Sequence, residues 1–494
     1  MQYVSTRNKQ RRVSAAQAIA AGLSPDGGLF LPESFPTVSP AELQALCACD
    51  YRERAVRIMR LFLEEFSTEE LEGFAAAAYG ENYDCPEAAP LRRLDGNTAF
   101  LELWHGPTCA FKDMALQMLP HLLTASLKKT GETREVCILV ATSGDTGKAA
   151  LEGFADVKGT RILVFYPEDG VSQMQKLQMV TQTGENVSVC AVKGNFDDAQ
   201  SGVKAIFSDP ALREQLSERG FFLSSANSIN WGRLLPQIVY YFSAYCDMVG
   251  QGMLSCGEEM VFCVPTGNFG NILAGYYARK MGLPVKRLVC ASNANNVLTD
   301  FIATGTYDRN RHFYTTVSPS MDILISSNLE RLLFDLCGED DGPVAAWMQA
   351  LAEDGRYTVT PAVKQGLDAV FAAGFCDDAG TEATIGELFR EKDYLIDTHT
   401  AVAYAVLRDY RARTGDETPA AVVSTASPYK FCQAVLDALG ENGAVSGLEA
   451  VERLSERTGT RAPRPLTELK DKAVRFTRVA EKSAMRGVVL DFLQ

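Results

Sequence analysis

A lysine whose amine is neutral can attack an aldehyde and hold it covalently, and Lys112 sits in a segment suited to that chemistry. It follows His105-Gly-Pro-Thr-Cys-Ala-Phe and precedes Asp113. Gly106 and Pro107 force a turn after a strand ending near Trp104, which places Lys112 at the start of a helix expected over Met114–Lys128. The positive end of a helix dipole and burial both disfavour an ammonium. The competing reading is a surface lysine in an exposed ion pair with Asp113.

Three further loops carry anion-binding chemistry. Thr142, Ser143, Asp145 and Thr146 lie in ATSGDTGK, between an apolar strand and a helix expected from about Thr146. Backbone N–H groups of a glycine-rich turn at a helix start form an anion cradle, and hydroxyls add donors. The segment is not a nucleotide P-loop, because its first glycine position is Thr142 and Ala149 follows Lys148. Gly267, Asn268, Phe269, Gly270 and Asn271 form a second strand–turn–helix junction able to hold a phosphate, and they lack the dinucleotide glycine spacing. Ser228, Asn230 and Arg233 occupy a third, where Asn230 and Arg233 share a helix face and a guanidinium can grip a phosphate with two bonds. Each of these loops also reads as an ordinary capped turn. Thr425 follows the strand at Ala421–Ser424, where it can bond a pyridine nitrogen. His399, in Asp397-Thr398-His399, reads more readily as a structural histidine than as a base, and His105 carries the same two readings.

Parallel α/β architecture is what would gather such loops. From about residue 90, short apolar runs alternate with helical stretches: 136–140, 161–165, 186–192, 221–223, 260–264, 287–291, 394–396 and 421–424. Continuous apolar strands separated by helices indicate parallel sheets covered on both faces, with ligands at the carboxyl ends of the strands. Residues 1–90 read as a mostly helical domain, helical over Ala41–Tyr79, with a glycine turn and short extended piece at 24–33. Residues 91–494 read as two α/β lobes. The smaller covers about 112–225, and the larger combines 91–111 with 226–494.

A net charge of -14 argues against nucleic acid or an anionic membrane as partner. Thirteen cysteines in no repeating frame read as reduced thiols. Four histidines, at 105, 121, 312 and 399, form no ligand pair, so no metal is expected. The basic N-terminal residues precede no apolar run, and no stretch is long and apolar enough to span a membrane. The expectation is a cytoplasmic enzyme, monomeric or a weak homodimer.

The motifs in this order, from DGGLFLP (26–32) through HGPTCAFKD, ATSGDTG, SANSINWGR, GNFG and MDILISSNLERLL to STASPYKF (424–431), resemble the threonine synthase family, in its longer fungal and bacterial branch. The resemblance covers most of the chain. It implies the tryptophan-synthase β-like fold of pyridoxal-phosphate (PLP) enzymes, fold type II, with an extra N-terminal helical domain. It further implies conversion of O-phospho-L-homoserine and water to L-threonine and phosphate. By position, Lys112 would be the Schiff-base lysine, residues 267–271 would hold the cofactor phosphate, and Thr425 would face the pyridine nitrogen. The 142–146 loop would bind substrate. Anion chemistry, rather than the resemblance, assigns the substrate phosphate to Ser228, Asn230 and Arg233. The family pattern is departed from at Ala426-Ser-Pro-Tyr-Lys430, where A-H-P-A-K is usual, at Asp397-Thr-His399, where D-P-H is usual, and at Asn271, which is often Asp. Two alternatives stay open: a PLP-dependent serine/threonine dehydratase, which needs no phosphate clamp, and a non-catalytic relative that binds a phosphorylated metabolite.

Overall fold

The computed structural model describes every residue except 143, 169, 170 and 442. Two sheets organise the chain after residue 90. In the larger, the strands run in the order Phe371–Phe375, Val285–Ser292, Met260–Pro265, Ala420–Ser424, Thr98–Glu102 and Leu91–Arg93. The first five are parallel, and the edge strand Leu91–Arg93 is antiparallel to its neighbour. The smaller sheet has the order Val479–Ala480, Val187–Val192, Thr160–Pro167, Glu135–Ala141 and Phe221–Ser224, all parallel.

The apolar runs are explained by burial on both faces. In the smaller sheet, Ile138, Ile162 and Val164 point into one core, while Cys137, Leu139, Leu163 and Phe165 point into another. In the larger sheet, Phe262, Val264 and Leu288 face one side, and Val261, Cys263 and Val289 the other. Because side chains alternate along a strand, a strand covered on both faces must be apolar at every position.

The N-terminal region and the C-terminal tail contain elements that the domain expectations do not include. Residues 1–90 carry a three-stranded antiparallel sheet, Asn8–Val13, Tyr3–Ser5 and Phe30–Pro32, beside their helices. The strand NKQRRV is polar and largely exposed, so no apolar alternation betrays it. The helices Ala15–Ala21, Pro40–Cys47, Tyr51–Arg60 and Thr68–Ala78 each begin with a reciprocal capping box, at Ser14/Gln17, Ser39/Glu42, Asp50/Glu53 and Ser67/Glu70. This region shares a core with the catalytic lobes: Tyr3 meets Trp231 edge to face at 5.6 Å, and Ile19 lies in the same cluster as Leu119. The C-terminal tail, expected in the larger lobe, instead adds the strand Val479–Ala480 and the helix Met485–Phe492 to the smaller one.

Two local expectations also change. Tyr394–Ile396 is not a strand. It bridges Asp393, in the left-handed region, and Asp397, which caps the next helix, so it has no run of residues free to pair. Tyr394 instead stacks on Phe100 and donates its hydroxyl to Glu102. The helix expected over Met114–Lys128 divides into Asp113–Leu116 and Leu119–Thr130, the second opening with Pro120 in its first turn. Among the described residues, no helix is long and apolar enough to cross a membrane.

Candidate active site

Two of the loops that leave the carboxyl ends of the parallel strands meet at Lys112: Asp145 faces its amine, and the segment after Ser424 is bonded to its loop. Its own loop is tightly constrained. A Cβ at Gly106 would lie 2.7 Å from both Cβ and Oδ2 of Asp113, so no larger residue fits without movement. Asp113 takes two bonds from Thr108, from the backbone N–H at 2.8 Å and from the hydroxyl at 2.7 Å. Burial nevertheless pushes its carboxyl up to about 7, against those bonds. The loop is stapled to the segment after Ser424: Phe111 N–H donates to the Thr425 carbonyl at 2.8 Å, and Ser427 N–H donates to the Cys109 carbonyl at 3.1 Å. Thr425 is itself buried.

Lys112 is therefore no surface lysine. Its side chain is 13% exposed, and burial lowers its amine to about 8. Lys430 and Arg233 add to that lowering, while Asp145 and Asp113 oppose it. The helix dipole expected to assist is small, because Asp113–Leu116 is a single turn. Desolvation supplies the neutral amine.

Asp145 opens the helix Asp145–Phe154, one residue before the expected start. Its Oδ2 lies 3.9 Å from the Lys112 Nζ, and its Oδ1 accepts from Lys430 at 2.7 Å and from Gln175 at 3.0 Å. Burial alone would raise this carboxyl, but Lys430 and Lys112 outweigh it and hold it well below the usual carboxylate range. Thr142 closes the turn, its hydroxyl accepting the N–H groups of Gly144 at 3.0 Å and Gly147 at 2.9 Å. Thr146 is half-buried on the first turn of the helix. Ser143 lies outside the described residues.

The turn at 267–271 has the form of an anion cradle. Phe269 adopts a left-handed conformation, φ 62°, which aims the turn into the helix Gly270–Lys280. Among the described residues, the N–H groups of Gly267, Asn268, Phe269, Gly270 and Asn271 have no acceptor. The Asn271 side-chain nitrogen is buried and equally without a partner. Donors this dense at a helix N-terminus fit the phosphate of PLP. A Cβ at Gly267 would lie 2.9 Å from the Ser320 carbonyl oxygen, so the loop over this turn packs directly against its backbone. That loop is positioned by His399, whose Nε2 accepts the Ser320 N–H at 3.1 Å while Nδ1 bonds Asp397 at 2.7 Å. Both nitrogens are engaged, so His399 is structural.

The third cluster divides. The helix begins at Trp231, not near Ser228, and Asn230 is its cap: its Oδ1 accepts from Gly232 N–H at 2.8 Å and its Nδ2 donates to the Ile19 carbonyl at 3.0 Å. Its oxygen is committed to the cap, and one of its two amide N–H donors to the Ile19 carbonyl. The Ser228 hydroxyl accepts from Asn328 at 3.3 Å, and Asn328 also lies 3.3 Å from where a Cβ of Gly270 would stand. Arg233 is 3% exposed. Burial lowers its guanidinium to about 10. One nitrogen donates to the Ala226 carbonyl, Nε has no partner, and no carboxylate pairs with it among the described residues. A buried, unpaired guanidinium in the field of Lys112 is a receptor for an anion.

Sequence reasoning missed Lys430, Gln175, Tyr240 and Tyr241. Lys430 lies within the SPYK segment, but nothing in its spacing shows that it reaches back 285 positions to Asp145. Tyr240 and Tyr241 read as ordinary core residues of a long apolar helix.

One cluster of metal-ligand types exists among the described residues, Asp84, Cys85 and His105. His105 bridges Asp84 at 2.5 Å through Nδ1 and Glu102 at 2.9 Å through Nε2. Burial works against its charge, but Asp84, Cys85 and Glu102 raise it to about 11.

Comparison with known proteins agrees with this geometry. Residues 2–79 match the family described as Threonine synthase N terminus, residues 87–374 the family Pyridoxal-phosphate dependent enzyme, and residues 400–489 the family Threonine synthase, C-terminal. The threonine synthase of Pseudomonas aeruginosa is 40% identical over 436 residues, covering 88% of this chain and 90% of its own length. Human threonine synthase-like 1 is 42% identical over 456 residues, and the chain spans only 60% of that protein. The PLP-bound threonine synthase of Brucella melitensis superposes with a TM-score of 0.89 at 36% identity, covering 100% of both chains. The yeast threonine synthase gives 0.89 at 34%, covering 100% of this chain and 98% of that one. With identity and coverage of this order across the N-terminal, cofactor-binding and C-terminal regions, the chain belongs to the threonine synthase family of pyridoxal-phosphate-dependent enzymes.

Proposed function

We propose that this protein is a threonine synthase, using PLP bound at Lys112 to convert O-phospho-L-homoserine and water to L-threonine and phosphate. The observation that carries the reading is the unpaired guanidinium of Arg233, buried within the field of Lys112. A dehydratase acting on unphosphorylated serine or threonine would leave that charge buried without a counter-ion, at a cost of several kcal/mol.

PLP, when bound, supplies an electron sink that acidifies the carbons next to the substrate amine. The protein's part is positional and protonic. Gly267, Asn268, Phe269, Gly270 and Asn271 are assigned to the cofactor phosphate, and Thr425 to the pyridine nitrogen. A neutral threonine hydroxyl there does not stabilise a pyridinium as a carboxylate would. Lys112, with an amine near neutrality, can take a proton from the substrate and return it at a neighbouring carbon. Arg233 and Ser228 are assigned to the substrate phosphate. Thr142, Ser143, Asp145 and Thr146 are assigned to the substrate's amino-acid end. For Thr142 the contribution is the turn it closes, since its hydroxyl oxygen already accepts two backbone bonds. Asn230, committed as a helix cap, contributes by fixing the helix that carries Arg233.

A cytoplasmic setting is supported by thirteen cysteines, all unpaired. A monomer or weak homodimer remains the proposed state. The deciding experiment incubates the purified, PLP-loaded protein with O-phospho-L-homoserine and measures threonine and phosphate. Equimolar release supports the reading, and phosphate without threonine, or neither product, overturns it.

A further inference from the structure

Lys430 is a second lysine in the same pocket, and its side chain is wholly out of solvent. It ends the turn Pro428–Lys430, which begins where the Ser427 N–H bonds the Cys109 carbonyl. A buried ammonium is costly unless it is paired, and this one has two partners. Nζ donates to Asp145 Oδ1 at 2.7 Å and to the Thr108 carbonyl at 2.9 Å. Gln175 donates to the same Oδ1 at 3.0 Å. The other carboxylate oxygen is left 3.9 Å from the Lys112 Nζ, too far for a hydrogen bond.

We infer that Lys430 is a positioning residue for the reaction: it ties one oxygen of Asp145 to the lysine loop and so keeps the Lys112 amine facing a carboxylate that it does not bond. The groups around Lys112 make this arrangement matter. Asp145 and Asp113 are acidic, Lys430 and Arg233 are cationic, and the Phe111 ring lies 4.9 Å from Nζ. Asp113 is committed to Thr108. Asp145 is therefore the one carboxylate of this set free to turn on Lys112, and a tight pair would trap the amine as ammonium. Lys430 opposes that in two ways, by occupying Asp145 and by adding positive charge next to the amine.

This inference rests on Lys112 being the cofactor lysine, and its test separates the two. In cofactor-free protein, the rate of reductive methylation of Lys112 is followed against pH by peptide mass spectrometry. In PLP-loaded protein, the visible absorption band is titrated in parallel. Lys430→Met should raise the Lys112 labelling midpoint by about one pH unit, which slows labelling roughly tenfold below that midpoint. Lys430→Arg should restore it. Should Lys430→Met fail to fold, Lys430→Gln keeps a donor to Asp145 without the charge and should still raise the midpoint. A wild-type midpoint in whichever neutral variant folds overturns the proposal. PLP attached to another lysine in the wild type would instead sink the site assignment, while the labelling of Lys112 remains readable.

Discussion

Tyr241 donates its hydroxyl to the side-chain oxygen of Asn271 at 2.7 Å, and Tyr240 reaches that same oxygen at 2.8 Å. With Oδ1 doubly engaged, the Asn271 amide can present only its nitrogen to the cradle, and that nitrogen is the group left buried without a partner. The two tyrosines thus decide which end of the amide an anion meets. Replacing both with Phe frees the amide to turn over. Removing a charge-assisted bond of this kind should weaken PLP binding about tenfold, roughly 1.4 kcal/mol. Titrating cofactor-free protein with PLP by absorbance measures this, and an unchanged Kd would remove the orienting role.

Arg233→Ala separates the two anion sites. If Arg233 holds the substrate phosphate, KM for O-phospho-L-homoserine should rise by about two orders of magnitude, roughly 3 kcal/mol, while PLP affinity stays near that of the wild type. Parallel loss of both would reassign Arg233 to the cofactor.

The sequence made the strand cores legible, because residues buried on both faces form unbroken apolar runs. It also exposed the glycine turns, because the sites of Gly106 and Gly267 exclude a side chain. It did not show which polar side chains are spent on structure. Asn230 is an example: Asn serves both as a ligand and as a helix cap, and its capping oxygen and its bond to the Ile19 carbonyl, across 211 positions, leave no trace in the local pattern. Lys430 and the strand Val479–Ala480 were hidden for the same reason: each is defined by a partner hundreds of residues earlier, and local patterns carry no trace of such pairings.

The lowered amine of Lys112 predicts a pH-dependent cost in the cofactor-free protein. Its folded value is about 8, against 10.5 for an unperturbed lysine. Below 8 both states carry the proton, and the cost of burying an ammonium is present in full. Between 8 and 10.5 the unfolded chain binds the extra proton, so stability rises with pH. Lys112→Met should therefore be more stable than the wild type at pH values below 8, with an advantage that shrinks toward 10.5. Urea midpoints across this range test it, and a gap independent of pH would show that burial does not control this amine.

Gly106→Ala should disturb the lysine loop without touching its chemistry. The new methyl would stand 2.7 Å from Asp113 Cβ and Oδ2, and overpacking at such a site costs on the order of 2 kcal/mol. The expected result is a lower Tm together with a broadened pH response of Lys112 labelling. A Tm equal to that of the wild type would mean that the loop yields more easily than its bonds to Thr108 suggest.

His105 gives the opposite sign. Its imidazole is raised from 6.5 to about 11, against burial, by Asp84, Cys85 and Glu102. The folded state therefore holds a proton that the unfolded chain releases above 6.5. The stabilisation is complete below 6.5 and is lost progressively as pH rises toward 11. Asp84 is 44% exposed, so solvent screening reduces its share, and Glu102, 8% exposed, is the stronger partner. His105→Gln should thus lower Tm most near the acidic end of this window and least near its alkaline end. Lys112→Met moves the other way, so the two variants measured side by side distinguish a buried charge that is paired from one that is not. A His105→Gln deficit that grows with pH would mean the ring is neutral in the folded protein.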